Sequence, residues 1–132
     1  MVITIDTSAL LSVLLNEKHK PDIIEATKGC DLQAPSSLDA EVGNAISAMF
    51  KRKRLTLEEA GQVLTQFSGI PIRRTGLRLK EAARLAYTHN MYAYDAYVLD
   101  CALQYRYPLL SLDHQLLTVA KELQLNVIEV SQ

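Results

Sequence analysis

The sequence predicts a three-layer α/β sandwich, a central and mostly parallel β-sheet flanked by helices on both faces. Three observations carry this. Short apolar, β-branched runs alternate with amphipathic segments of helical length along the chain, and strands separated by helices require right-handed crossovers into a parallel sheet. An apolar strand followed at once by an aspartate and a helix occurs near both ends, as VITID at residues 2–6 and PLLSLD at 108–113. No repeat, low-complexity stretch or linker interrupts the 132 residues, so one domain spanning 1–132 is expected.

Val2 to Ile5 reads as the first strand, and Thr7 or Ser8 as the cap of a helix running to Leu15. Pro21 suits the first turn of a second short helix that ends near Gly29. Leu32 to Ala34 reads as a strand, and Pro35-Ser36-Ser37 leads into a long helix reaching about Lys53. Thr56 with Glu59 three residues on is a capping-box pattern, opening a helix to about Phe67. Ile70 to Arg73 is a weak strand, followed by helices over about Gly76–His89 and Tyr94–Tyr105. Pro108 to Leu112 is an apolar strand, Gln115 to Leu123 is helical, and Val127 to Val130 closes the sheet.

Composition narrows the class. No apolar run approaches the roughly 18 residues of a membrane span, and the N-terminus lacks the basic start and long apolar stretch of a secretory signal. A cytoplasmic protein away from membranes is expected, with Cys30 and Cys101 as free thiols. His19, His89 and His114 offer no paired spacing for zinc, and His114 reads as an exposed residue at a helix start.

Four acids stand out from the fifteen. In parallel sheets functional groups collect beyond the carboxyl ends of the strands, which places Asp6 and Asp113 on one edge. Each also suits an N-cap after a strand. In Tyr94–Tyr105, Val98, Leu99, Ala102 and Leu103 form the apolar stripe at helical spacing, and Asp95 falls on that stripe. A carboxylate there is costly unless it is paired, capped or bound to metal. Asp100 points to the polar side and reads as solvated. In the helix after Ser37, Glu41 and Asp39 flank the apolar stripe of Leu38, Val42, Ala45 and Met49 at similar angles. Periodicity does not choose between them.

DTSALLSVLL at the start, SLDAEVGNAI at 37–46, YDAYVLDCA at 94–102 and LLSLD at 109–113 together resemble a PIN domain. Their order and the chain length are similar to the VapC-type toxins of toxin–antitoxin pairs. The resemblance implies Asp6, Glu41, Asp95 and Asp113 as the acidic set, and so selects Glu41 over Asp39. Ser111 stands two positions before the last acid, where such proteins usually carry Thr or Asn. The implied activity is metal-dependent endoribonuclease cleavage of RNA. The implied partners are a small cognate antitoxin and a second copy of the chain in a homodimer.

Four carboxylates gathered together raise one another's pKa values, and a divalent cation relieves that repulsion. All-oxygen ligation favours Mg²⁺ or Mn²⁺ at Asp6, Asp95, Glu41 and Asp113. Setting these four aside leaves the 14 basic residues in slight excess over the remaining acids, which permits a phosphate-rich substrate. The run Lys51-Arg52-Lys53-Arg54, and Arg73, Arg74 and Arg78, suit either a solvated surface or phosphate contact. Thr7 and Ser8 suit capping and phosphate contact equally. Tyr92, Tyr94 and Tyr97 around Asp95 suit either stacking on a base or packing, and packing is the reading preferred. The competing readings are a non-catalytic PIN-like interaction module and a phosphatase using Asp6 as nucleophile. The second lacks the expected acid at position 8, which is Ser.

Overall fold

The computed structural model describes residues 1–130. Val2–Ile5 (β1) lies at the centre of a five-stranded sheet in which every neighbouring pair is parallel. Asp31–Pro35 (β2) and Ile72–Thr75 (β3) extend it on one side, Leu109–Leu110 (β4) and Val127–Ile128 (β5) on the other, giving the order β3-β2-β1-β4-β5. Seven helices join the strands: Thr7–Leu14 (α1), Lys20–Thr27 (α2), Leu38–Lys51 (α3), Leu57–Ser68 (α4), Leu79–His89 (α5), Ala93–Tyr105 (α6) and His114–Glu122 (α7). The expected α/β sandwich is present.

Period-two alternation in the strands builds the two buried layers. Ile3, Ile5, Ala34, Ile72 and Leu110 pack with Leu10 and Leu14 of α1, Val42 and Ile46 of α3, and Val63 and Phe67 of α4. Leu109 packs with Val98, Leu99 and Ala102 of α6 and with Leu116, Leu117 and Ala120 of α7. Thr4 and Gln33 alternate with the apolar residues of β1 and β2, and both are fully buried. The Gln33 amide donates to Thr4 Oγ1 at 2.8 Å and to the Cys101 carbonyl of α6 at 3.3 Å. Helix α6 therefore rests on a polar strip of the sheet.

Several boundaries move for identifiable reasons. Thr56 and Glu59 close the capping box at the start of α4. β3 starts at Ile72 because Pro71 has no N–H for the ladder, while the Ile70 amide bonds Phe67 and closes α4. β4 keeps two residues of the expected five. Ser111 and Leu112 turn out of the ladder to bond the start of α1. The cap of α1 is Asp6, not Thr7 or Ser8, and its side chain accepts the Ala9 amide.

Asp100 departs furthest from expectation. It is 5% exposed rather than solvated, and the Arg78 guanidinium grips both its oxygens, at 2.6 and 3.0 Å. Sheet and α5 cover α6 from two directions, so Val98 through Ala102 are all buried and the middle of the helix has no wet side. A single apolar stripe describes a helix on a surface. α6 is a central helix, and its one mid-helix acid needs a cation. Of the tyrosines, Tyr92 departs in the opposite sense, at 87% exposed, while Tyr97 is half-buried and packs edge-on against the Tyr94 ring at 6.0 Å.

Candidate active site

The strand order reverses between β1 and β4, which are hydrogen-bonded neighbours although about a hundred residues apart in sequence. Such a switch point leaves a crevice beyond the carboxyl ends of the two strands. Asp6 stands at the end of β1. Ser111, Leu112 and Asp113 follow β4, and the Asp6 amide donates to the Leu110 carbonyl at 3.2 Å.

Asp6 is held by three donors. Its Oδ1 accepts the Ser8 hydroxyl at 2.7 Å and the Ala9 amide at 3.0 Å, and its Oδ2 accepts the Ser111 hydroxyl. Both hydroxyls in turn accept backbone amides from the β4–α7 corner: Ser8 from Leu112 at 3.1 Å, Ser111 from Asp113 at 3.0 Å. Each serine proton is thereby committed to Asp6. Asp113 caps α7, its Oδ1 accepting the amides of Gln115 and Leu116 at 2.9 and 3.2 Å. The capping role is therefore real for both strand-end acids, and it fixes where each carboxylate stands.

Glu41 lies in the first turn of α3, where the helix dipole favours an anion. Its Oε1 accepts the Thr7 hydroxyl at 3.1 Å and its Oε2 the Ser37 hydroxyl at 2.8 Å. Asp39 faces away, 61% exposed and ion-paired with Arg74 of β3 at 2.9 Å. Asp95 lies in the first turn of α6, half-buried, and makes no hydrogen bond among the described residues.

Electrostatics link the four. Burial raises the Asp6 carboxyl above the ordinary aspartate range against its three hydrogen bonds, and the Asp113 charge pushes it further. Burial also raises Glu41, opposed by the Ser37 and Thr7 bonds and aided by Asp6 and Asp95. Asp95 is raised by burial and then by Asp113. Each acid thus feels at least one of the others. The ion pairs among the described residues lead elsewhere, to Asp39, Asp100, Glu81 and Glu129. None of these ion pairs reaches Asp6, Glu41, Asp95 or Asp113. That all-oxygen set suits a hard divalent cation in donor chemistry and in charge, although no three His, Cys, Asp or Glu side chains among the described residues form a ready-made ligand group.

Sequence reasoning left out the hydroxyls of Thr7, Ser8 and Ser37, which orient the acids. The signal for Ser37 was the i, i+4 spacing to Glu41. Thr7 and Ser8 suit capping and phosphate contact equally by sequence, and the structure gives their hydroxyls to Glu41 and Asp6 instead.

Solved structures with this arrangement of elements are similar over nearly the whole chain. PAE2754 from Pyrobaculum aerophilum superposes with a TM-score of 0.72 at 20% identity, over 96% of this chain and 83% of that one. VapBC2 from Rickettsia felis, solved bound to a DNA fragment from its promoter, gives 0.71 at 12% identity, over 99% and 100% of the two chains. FitAcB from Neisseria gonorrhoeae gives 0.60 at 16% identity, over 96% of each. At these identities the likeness is one of fold. A search of curated protein sequences returned no significant match. The PIN domain profile matches residues 3–122, from β1 through α7, and on that match the chain belongs to the PIN-domain family.

Proposed function

We propose that this PIN-domain nuclease is a metal-dependent endoribonuclease and the toxin of a type II toxin–antitoxin pair. The observation that carries the reading is that Asp6, Glu41, Asp95 and Asp113 act on one another electrostatically, while none of the ion pairs among the described residues reaches them. Asp6, Glu41, Asp95 and Asp113 would hold Mg²⁺ or Mn²⁺. A bound divalent cation supplies Lewis-acid chemistry, polarising a phosphoryl oxygen and making water nucleophilic near neutral pH.

The protein's own groups divide the work. Asp6 is the fixed member, because three donors leave its carboxylate one orientation. Glu41 is aimed by Thr7 and Ser37. The two Asp113 cap bonds both fall on Oδ1, and Oδ2 would be the oxygen that serves the ion. Asp95, whose side chain accepts no hydrogen bond among the described residues, is the acid we assign to accept the proton of the attacking water. Water adds to phosphorus, the bond to the 3′ oxygen breaks, that oxygen takes a proton from solvent, and the products are a 3′-hydroxyl and a 5′-phosphate.

The structural kinship with VapBC2 and FitAcB supports a small cognate antitoxin as partner. The VapBC2 structure includes promoter DNA, which supports an antitoxin that also binds DNA. We further propose that residues 1–132 work as one domain, that the chain forms a homodimer, and that it acts in the cytoplasm. No helix among the described residues is long and apolar enough to cross a membrane.

Incubating the purified protein with RNA tests the activity. Internal cleavage is expected with Mg²⁺ or Mn²⁺ and none in a chelator. RNA left intact under both metals would overturn the nuclease reading in favour of a non-catalytic module.

A further inference from the structure

Tyr92 breaks a local rule beside the acid set. It is the N-cap of α6, the position where Ser, Thr, Asp or Asn would bond the open amides of the first turn. Its side chain makes no such bond, so the helix forgoes that stabilisation, and its ring stands almost wholly in water. Nothing is regained in packing. No ring contact or side-chain hydrogen bond involves Tyr92 among the described residues, whereas Tyr94 is braced by the Tyr97 ring. Local rules broken without a structural return mark sites kept for function.

Exposure alone singles out nothing, since Tyr87 of α5 is equally exposed. Position does. The N-cap residue and the third residue of a helix are neighbours, the relation that a capping box exploits and that Thr56 and Glu59 show in α4. The third residue of α6 is Asp95. An exposed aromatic ring therefore adjoins a half-buried carboxylate of the acid set. The face of such a ring is the negative part of its quadrupole, so a phosphate is not its ligand. An unpaired base is, because every base has a π face, and single-stranded RNA is held by stacking of this kind. A protein side chain would also cover the ring, but the place favours RNA: a base stacked on Tyr92 brings its own phosphate to Asp95.

We infer that Tyr92 is a stacking platform for one unpaired base of the RNA substrate, on a nucleotide that flanks the cleaved phosphate. This rests on RNA being the substrate, and it adds to that reading a contact that holds a single strand without reading its sequence.

The chain has no tryptophan, so Tyr92→Trp places a single indole at the platform. In chelator, where no cutting is expected, a single-stranded RNA oligomer should quench its fluorescence saturably. An abasic oligomer of the same length, with the phosphates but no bases, should not. With metal present, Tyr92→Ala should raise KM for RNA roughly ten-fold, the scale of losing one stacking surface. Its kcat and melting temperature should stay at the wild-type values, as for a contact held equally in the ground and transition states. Tyr92→Phe keeps the ring and should keep KM. No quenching, equal quenching by both oligomers, or an unchanged KM in Tyr92→Ala would overturn the proposal even if RNA is cut. Conversely, RNA left uncut under both metals while quenching still depends on bases would remove the nuclease reading and leave the platform standing.

Discussion

The Ser111 hydroxyl donates to Asp6 and accepts the amide of Asp113, so one side chain ties together the acids that follow β1 and β4. Ser111 is 1% exposed. Ser111→Ala removes a donor from Asp6 and orphans the Asp113 amide. A loss of about 1–3 kcal/mol is expected from a stranded buried group, read as a lower urea midpoint. Turnover should fall as well, because Asp6 and Asp113 lose their common anchor. Unchanged stability and unchanged cleavage would contradict this role.

Asp6→Asn should separate activity from stability. The amide keeps the capping acceptor for Ala9 and discards a buried charge. Cleavage is expected to fall at least about 100-fold, the scale for losing a group that acts on the transition state. The metal-free variant should melt at or above the wild-type temperature at pH 7. A variant that cuts RNA at the wild-type rate would sink the proposed site.

The raised carboxyls fix the sign of a pH effect. Asp6, Glu41 and Asp95 hold protons more tightly in the folded protein than in the unfolded chain. Their contribution to stability is complete below the unfolded carboxylate values, near ~4, and is lost as pH rises through the folded values. Glu59 and Glu129 shift the other way, but both are exposed. Melting curves of the metal-free wild type, minus those of a variant with Asp6→Asn, Glu41→Gln and Asp95→Asn, isolate the effect. The difference should favour the wild type more at mildly acid pH than at neutral pH. Added Mg²⁺ or Mn²⁺ should raise the wild-type melting temperature more at neutral than at acid pH, since protons and metal compete for the same oxygens.

Asp39 and Glu41 make a controlled pair. Both lie in the first turn of α3, yet Asp39→Asn should leave cleavage within about two-fold, because an exposed ion pair contributes ~1 kcal/mol or less. Glu41→Gln should remove most turnover. Parallel RNA assays decide, and an inactive Asp39 variant beside an active Glu41 variant would refute the assignment.

Arg78→Ala leaves the Asp100 carboxylate buried without its cation. A fully buried broken pair costs about 3–5 kcal/mol; with Arg78 46% exposed, about 1–2 kcal/mol is expected after solvent screening. Cleavage per folded molecule should be unaffected. A denaturant midpoint equal to the wild type's would show that the pair contributes nothing.

Features governed by local chemistry were legible in the sequence. The capping box of α4, Pro21 in the first turn of α2 and the aspartate after β1 each depend on neighbours a few residues away. What escaped depends on distant partners. Asp100 looked solvated because its cation, Arg78, sits 22 positions back, at the N-cap of α5. Glu41 and Asp39 were angularly equivalent, and the Arg74 that draws Asp39 outward lies on another strand. The two-residue β4 was overestimated because the hydroxyl network that pulls Ser111 from the ladder joins residues 105 apart.

The position of β4 carries a consequence for how the protein is made. β4 lies beside the central strand β1, yet it is the fourth strand synthesised. Until residues 109–113 emerge from the ribosome, one side of β1 has no neighbour and Asp6 lacks the hydroxyl of Ser111. A nascent chain, or one cut short before that point, holds at most three of the four acids. The acid set is thus incomplete, by topology, until the fourth strand and Asp113 have been made.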